Sequence, residues 1–190
     1  MMFESAIEKR IKELDEHLVH CSNEKLVFQE KQKDGQMEIA LLLRNPCVMF
    51  RDVDENSLNY FKCKKTADCI VFEQKVGDDW ALHIFEMKRT VKAKEWAKIQ
   101  EQFKGAYYNA LAIAGFLGIE DRINDIRLYT CYSNDKLGLD PLATRAALLK
   151  ADNTLLGWKN GKVELNGFKK LEFQMEKLQV DTNNQIQYSL

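Results

Sequence analysis

Asp68, Glu86 and Lys88 are the side chains whose types and spacing suit a single reaction. Thr66 to Gln74 and Trp80 to Lys88 read as two strands joined through Val76-Gly77-Asp78-Asp79. A turn centred on Gly77 sets Asp68 opposite Glu86 and Thr66 opposite Lys88. Glu86 and Lys88 are two apart on one strand and share a face, with Asp68 on that same face. Beneath them, Ile70 with Ile84 and Phe72 with Leu82 carry the face into a core. A slip of one residue would move Asp68 to the opposite face, so the arrangement hangs on the turn. Two carboxylates directly opposite each other repel unless a cation lies between them. Mg²⁺ or Mn²⁺ meets that need, since such ions take one or two carboxylates and contact substrate phosphate. Lys88 alongside is placed to orient an attacking water or to stabilise charge on a phosphate. The set suits metal-assisted phosphodiester hydrolysis.

Charge around this set favours a polyanion. Lys88, Arg89, Lys92, Lys94, Lys98 and Lys104 stand against only Glu95 and Glu101 in the stretch that follows. Lys62, Lys64 and Lys65 lie just before Asp68. A basic rim around an acidic pair is what holding a nucleic acid requires. The plainer reading of any one of these lysines is a solvated surface charge.

The elements that must position the site follow from periodicity. Phe3, Ile7, Ile11, Leu14 and Leu18 predict an amphipathic helix over residues 3 to 20. Lys25 to Lys31 and Gln36 to Arg44 read as a hairpin around Asp34-Gly35. Cys47 to Val53 reads as a strand, followed by a turn at 54 to 57. Strands 66–74 and 80–88 are apolar on both faces, as central strands are. Trp96, Ile99, Phe103, Tyr107, Ala110, Leu111, Ala114 and Leu117 predict a long helix over 94 to 117, with Gly115 and Gly118 helping to end it. Ile126 to Tyr132 reads as a further strand. Asp140-Pro141 opens a helix to about Ala151. Leu171, Phe173 and Met175 alternate, so the tail from Val163 returns as a hairpin or edge strands. The order predicts a mixed α/β (α+β) fold, a central mixed sheet flanked by helices, in a single domain. Its core would span about 1–135, and a helix-and-strand extension about 140–190.

Composition sets the outer bounds. The chain has 190 residues, 45% hydrophobic and 30% charged, which is an ordinary globular balance. A net charge of -1 excludes a uniformly basic coat but not a basic patch. No run reaches the ~18 apolar residues of a membrane span, and the N-terminal residues read as a charged helix rather than a secretion signal. Cys21, Cys47, Cys63, Cys69 and Cys131 are odd in number and lack CxxC spacing. They suit reduced thiols in a cytoplasm.

Other candidates are weaker. His17, His20 and Cys21 cluster at the end of the first predicted helix but lack the second ligand pair of a zinc site. His83 falls on the face opposite Glu86 and reads as a core histidine bonded to a neighbour. Cys63 and Cys69 read as buried thiols. Tyr107 reads as core, and Tyr108 as a side chain that could stack on a base.

Asp68, then Glu86-Met87-Lys88 at the end of the next strand, then a long helix and another strand, resembles the PD-(D/E)XK nuclease superfamily. The resemblance covers about residues 60 to 132 and the first helix. It implies a restriction-endonuclease-like core and metal-dependent cleavage of nucleic acid, DNA foremost. Asp68 and Glu86 would be its metal-binding acids and Lys88 its catalytic lysine. Ala67 stands where the family name implies proline, without touching the carboxylate chemistry. Family members often add a first-helix glutamate, for which Glu13 and Glu16 are the candidates. Lys98, Gln100 and Gln102 are counterparts of polar residues that relatives place near the phosphate. The nucleic-acid contacts expected are Lys65, Arg89, Lys92, Lys98 and Gln102. A homodimer built on the 163–190 tail would suit cleavage of both strands. The rival reading keeps the fold without chemistry, as a nucleic-acid-binding or protein-interaction module.

Overall fold

The computed structural model describes residues 2–30, 37–51, 65–137, 153–166 and 170–190. Within them run helix α1 (Ser5–Ile11) and strands β1 (Val19–Ser22), β2 (Lys25–Gln29), β3 (Glu38–Leu42), β4 (Cys47–Arg51), β5 (Cys69–Gln74) and β6 (Trp80–Val91). Helix α2 (Ala93–Leu117), strand β7 (Ile123–Asp135), helix α3 (Asn153–Asn160) and strands β8 (Lys162–Asn166), β9 (Lys170–Gln179) and β10 (Gln185–Ser189) follow.

The strands form two sheets. The larger has seven strands in the order β1-β4-β5-β6-β7-β9-β8, and the smaller three in the order β10-β3-β2. Strands β4, β5 and β6 run antiparallel, whereas β7 lies parallel to β6 and β9 parallel to β7. The protein is an α+β fold with mixed sheets.

The two faces of the large sheet are covered differently. On one, Ile70, Phe72, Leu82 and Ile84 pack against Phe3 just before α1, Ile7 of α1, Trp96, Ile99 and Phe103 of α2, and Trp158 of α3. On the other, Met49, Val71, Phe85, Met87 and Tyr129 meet Leu26, Phe28, Ile39 and Leu41 of the small sheet. The described helices thus pack on one face only, and sheet packs on sheet at the other. Each large apolar side chain buried this way contributes about 2 to 3 kcal/mol, which makes α2, with three such anchors in its first half, the main clamp on the site face.

The first helix is shorter than its periodicity predicts. It ends at Ile11, because the Asp15 carbonyl accepts the Leu18 and Val19 amides and its Oδ1 accepts the His17 amide, closing a turn. Val19 onward then pairs with β4, from Val19 opposite Phe50 to Ser22 opposite Cys47. His20 and Cys21 therefore lie on a strand, not at a helix end. Sheet pairing outweighs the modest helical preference of a stretch containing Val, His, Cys and Ser.

The remaining elements follow their patterns more closely. The β2–β3 hairpin forms, with Asp34-Gly35 outside the described residues. Gly118, at φ +69°, ends α2, while Gly115 stays helical. The turn expected at 54–57, the helix expected from Pro141 to Ala151, and Lys62, Cys63 and Lys64 also lie outside the described residues. Helix α3 and the parallel pairing of β10 with β3 have no counterpart in the sequence reading. The tail returns as the expected hairpin at a sheet edge: β8 pairs antiparallel with β9, and β9 lies beside β7 in the large sheet. Cys21, Cys47, Cys69 and Cys131 are free thiols. Among the described residues no helix is long and apolar enough to cross a membrane.

Candidate functional site

Strands β5 and β6 adopt the register that a turn at Gly77 implies. Ile70 faces Ile84 and Phe72 faces Leu82. Gly77 takes φ +78°, a left-handed conformation that costs glycine little. Asp68 stands just before β5 begins. Its Oδ2 accepts a hydrogen bond from the Met87 amide at 2.6 Å, which anchors it to β6 between Glu86 and Lys88, and the strand runs on to Val91 rather than ending at Lys88. The structure therefore brings Asp68, Glu86 and Lys88 together.

Glu86 is fully buried. Lys88 forms an ion pair with its Oε1, and the Gln102 amide is a second side-chain donor to this carboxylate. Burial, and after it the charge of Asp68, push the Glu86 acid well above the usual carboxylate range, with Lys88 and the nearby Gln102 amide offsetting only part of this. For Lys88, burial alone would favour the neutral amine. The charges of Glu86, Asp68 and Glu30 outweigh it and hold the ammonium above its usual range.

Helix α2 closes the site from above because Gly105 lets it approach. A Cβ at that position would lie 1.8 Å from the Lys65 carbonyl oxygen. The helix thus rests on the backbone leading into Asp68, and Gln102 Nε2 donates to the Thr66 carbonyl at 3.4 Å. Of the basic rim, Lys65 is paired with Glu101 and Lys98 lies 3.8 Å from Glu95. Arg89 at the end of β6 and Lys92 before α2 are exposed.

Glu13 and Glu16 are exposed on the turn after α1. The additional acid at the site is Glu30, which the sequence reading did not single out. It follows β2 and is only 9% exposed. Its amide donates to the Met37 carbonyl at 3.0 Å, extending the β2–β3 ladder by one pair. Phe28, two residues earlier on the same face, packs edge-on to Phe85 at 5.4 Å. Burial raises the Glu30 acid, and the charge of Asp68 adds to that while Lys88 opposes it. The pattern Leu26, Phe28, Glu30 was the available sign: a carboxylate continuing a buried alternation.

Among the described residues no group of three or more His, Cys, Asp or Glu side chains stands close enough to hold a metal ion. Asp68 and Glu86 offer two carboxylates, a number that Mg²⁺ accepts when water and phosphate oxygens complete its shell. The buried carboxylate of Glu86 beside that of Asp68 is the oxygen pair such an ion takes.

A second polar cluster lies on the opposite face of the same hairpin. Glu73, also fully buried, accepts from Asn45 Nδ2 at 2.7 Å and from His83 Nε2 at 2.9 Å, and pairs with Lys75 at 2.5 Å. His83 Nδ1 shares a hydrogen bond with the Tyr129 hydroxyl at 3.1 Å. Tyr129 is bonded in turn to Tyr188, which donates to Glu176 at 2.7 Å. His83 is thus the bonded core histidine that its position predicts.

Comparison with protein-family models, with curated proteins and with solved structures finds no match.

Proposed function

We propose that this protein is a metal-dependent nuclease that hydrolyses phosphodiester bonds of nucleic acid, DNA foremost. One observation carries the reading: Glu86 is fully buried beside a second carboxylate, Asp68, with Lys88 and Gln102 as its side-chain partners. A buried carboxylate set against a second one costs stability, and such costs gather where chemistry is done. The antiparallel run β4-β5-β6, then α2, then β7 parallel to β6, supports a restriction-endonuclease-like core.

In this reading Asp68 and Glu86 hold Mg²⁺ or Mn²⁺, which supplies charge stabilisation at the phosphate. Lys88 positions the attacking water and offsets negative charge developing on the phosphate. The backbone amide of Met87 keeps the Asp68 carboxylate turned to the site. Gln102, bonded to the Thr66 carbonyl, holds the mouth of the site in place. Arg89, Lys92 and Lys98 grip the flanking backbone phosphates.

The test is cleavage of labelled single- and double-stranded DNA and RNA with Mg²⁺, Mn²⁺ or EDTA. The expected outcome is cleavage that needs metal and falls by about 10³-fold or more in Glu86→Ala and Lys88→Ala, the scale of losing several kcal/mol of transition-state stabilisation. Cleavage that survives Glu86→Ala overturns the assignment.

The Glu86–Lys88 ion pair also favours a second reading. Lys88 then neutralises Glu86 permanently, and the protein binds nucleic acid or a protein partner without chemistry. That reading expects salt-dependent binding indifferent to EDTA. Asp68 weighs against it, because its carboxylate is held against β6 rather than turned away.

A further inference from the structure

We propose that Lys177, held over the ring of Trp158, binds a backbone phosphate flanking the one that is cleaved, so that the nucleic acid runs from Glu86 across β7 to β9. This rests on the nuclease reading above and adds to it a residue and a direction.

Register puts Lys177 beside the site. Glu86 stands opposite Thr130 on β7, and Thr130 opposite Lys177 on β9. Two strand spacings set the Lys177 Cα about 10 Å from that of Glu86. The three residues share a face. Leu128 and Met175, two residues before Thr130 and Lys177, belong to the core beneath the helices, as Ile84 does two residues before Glu86. Thr130 Oγ1 reaches Met175 Sδ at 3.1 Å across that face. The next row repeats the pattern, with Lys88 opposite Tyr132 and Tyr132 opposite Gln179.

Contacts then fix the side chain. The Lys177 ammonium lies 5.1 Å from the centre of the Trp158 ring, within range of a cation–π attraction. Trp158 is itself buried, and its Nε1 donates to Asp135 Oδ2 at 3.1 Å. It packs edge-on to Trp96 of α2 at 5.3 Å and to Tyr132, the residue opposite Lys88, at 5.7 Å. The platform under Lys177 is therefore continuous with the wall of the site.

Charge separates Lys177 from the lysines nearest the acids. Lys88 is engaged with Glu86, Lys65 with Glu101, and Lys98 lies 3.8 Å from Glu95. Lys177 is exposed, and among the described residues no carboxylate pairs with it. A ring face cancels none of the ammonium's charge and leaves donors for an anionic oxygen. A cation already ordered by a fixed ring gives up little freedom, and no ion pair, on meeting a phosphate.

Filter binding of a labelled DNA oligonucleotide, single- and double-stranded, in EDTA at several salt concentrations tests this. The chains compared are the wild type, Lys177→Gln, Lys177→Arg and Lys170→Gln. Lys170 lies on the same strand and is paired with Glu164 at 3.0 Å. Lys177→Gln should weaken binding about three- to fivefold and lower the slope of log affinity against log salt by about 1. Lys177→Arg should keep both at the wild-type level, and Lys170→Gln should alter neither. In cleavage with Mg²⁺, the loss in Lys177→Gln should fall on KM rather than kcat. An unchanged slope in Lys177→Gln overturns the proposal and leaves the nuclease reading standing. So does an equal loss in Lys170→Gln, which would make the effect one of bulk charge. Failure of arginine to restore binding overturns it as well, since packing and not charge would then be at work. Binding that shifts as expected without metal-dependent cleavage upholds the phosphate contact and ends the nuclease reading. A wild type that neither binds nor cuts overturns both.

Discussion

Glu73 and Glu86 are the same residue type, on the two strands of one hairpin, and both are fully buried. Burial raises the acid in each case, yet the outcomes are opposite. Glu73 is held down at about 2, because His83, Lys75 and Asn45 all donate to it. Glu86 is pushed well above the usual range, because burial and the charge of Asp68 outweigh Lys88 and Gln102. The donors and charges around a carboxylate, weighed against its burial, set its charge state. The Glu73 face is a closed account of donors and acceptors, running through His83 and Tyr129 to Tyr188 and Glu176, and it ties the small sheet to the large one. The Glu86 face is left open, which is a burden on folding and an opportunity for a cation.

Removing the Glu73 charge should have the largest effect on folding. Glu73→Gln keeps the shape but loses the ion pair and weakens the bond from His83. The folded acid sits at about 2 against a usual 4.5. A depressed acid adds stability that is present above pH 4.5 and lost as pH falls toward 2. The variant should therefore be about 3 kcal/mol less stable at pH 7, with a flatter acid limb between those values, by urea unfolding across pH. An unchanged acid limb would show that the two glutamates do not differ as the geometry says.

Glu86→Gln should move stability the other way. A raised acid weighs against the folded state increasingly as pH climbs from 4.5 toward its folded value. Because the variant also leaves Lys88 without its ion-pair partner, the net gain at neutral pH should be at most about 1 kcal/mol, and it should shrink below pH 4.5. A loss of stability at pH 7 would mean that the Lys88 pair satisfies Glu86 better than its surroundings suggest.

The smallest effect is expected at the rim. Lys92→Ala should leave folding unaltered, weaken nucleic-acid binding uniformly across sequences, and lower the slope of log affinity against log salt by about 1. Filter binding at several salt concentrations reads it. An unchanged slope would take Lys92 out of the interface.

Much of the site was legible because a hairpin is local. Gly77 and the paired apolar residues Ile70, Phe72, Leu82 and Ile84 specify one register, and that register carries Asp68 to Glu86 without reference to the rest of the chain. The long helix was equally plain from its spacing, and so was the burial of His83 on the opposite face. Residues 19–22 were not legible. Their apolar spacing suits a helix, and only the open edge of β4 turns them into a strand. Glu13 and Glu16 drew attention for the same reason: periodicity carried the first helix beyond the turn at Asp15 that ends it.

What the sequence by itself determined is therefore the pairing of strand with adjacent strand and the face on which each side chain lies, since period and turn chemistry act over a few residues. What only the tertiary structure decided is what comes from far along the chain to meet those faces. Glu30 reaches the site because Phe28 packs on Phe85, and Tyr188 reaches Tyr129 because β10 joins β3 in parallel. Gln102 reaches Thr66 because Gly105 has no Cβ to hold the helix away. None of these contacts has a period to announce it. They depend on long-range packing, in which the gain comes from burying faces against one another and the partner is settled only when the whole chain has closed.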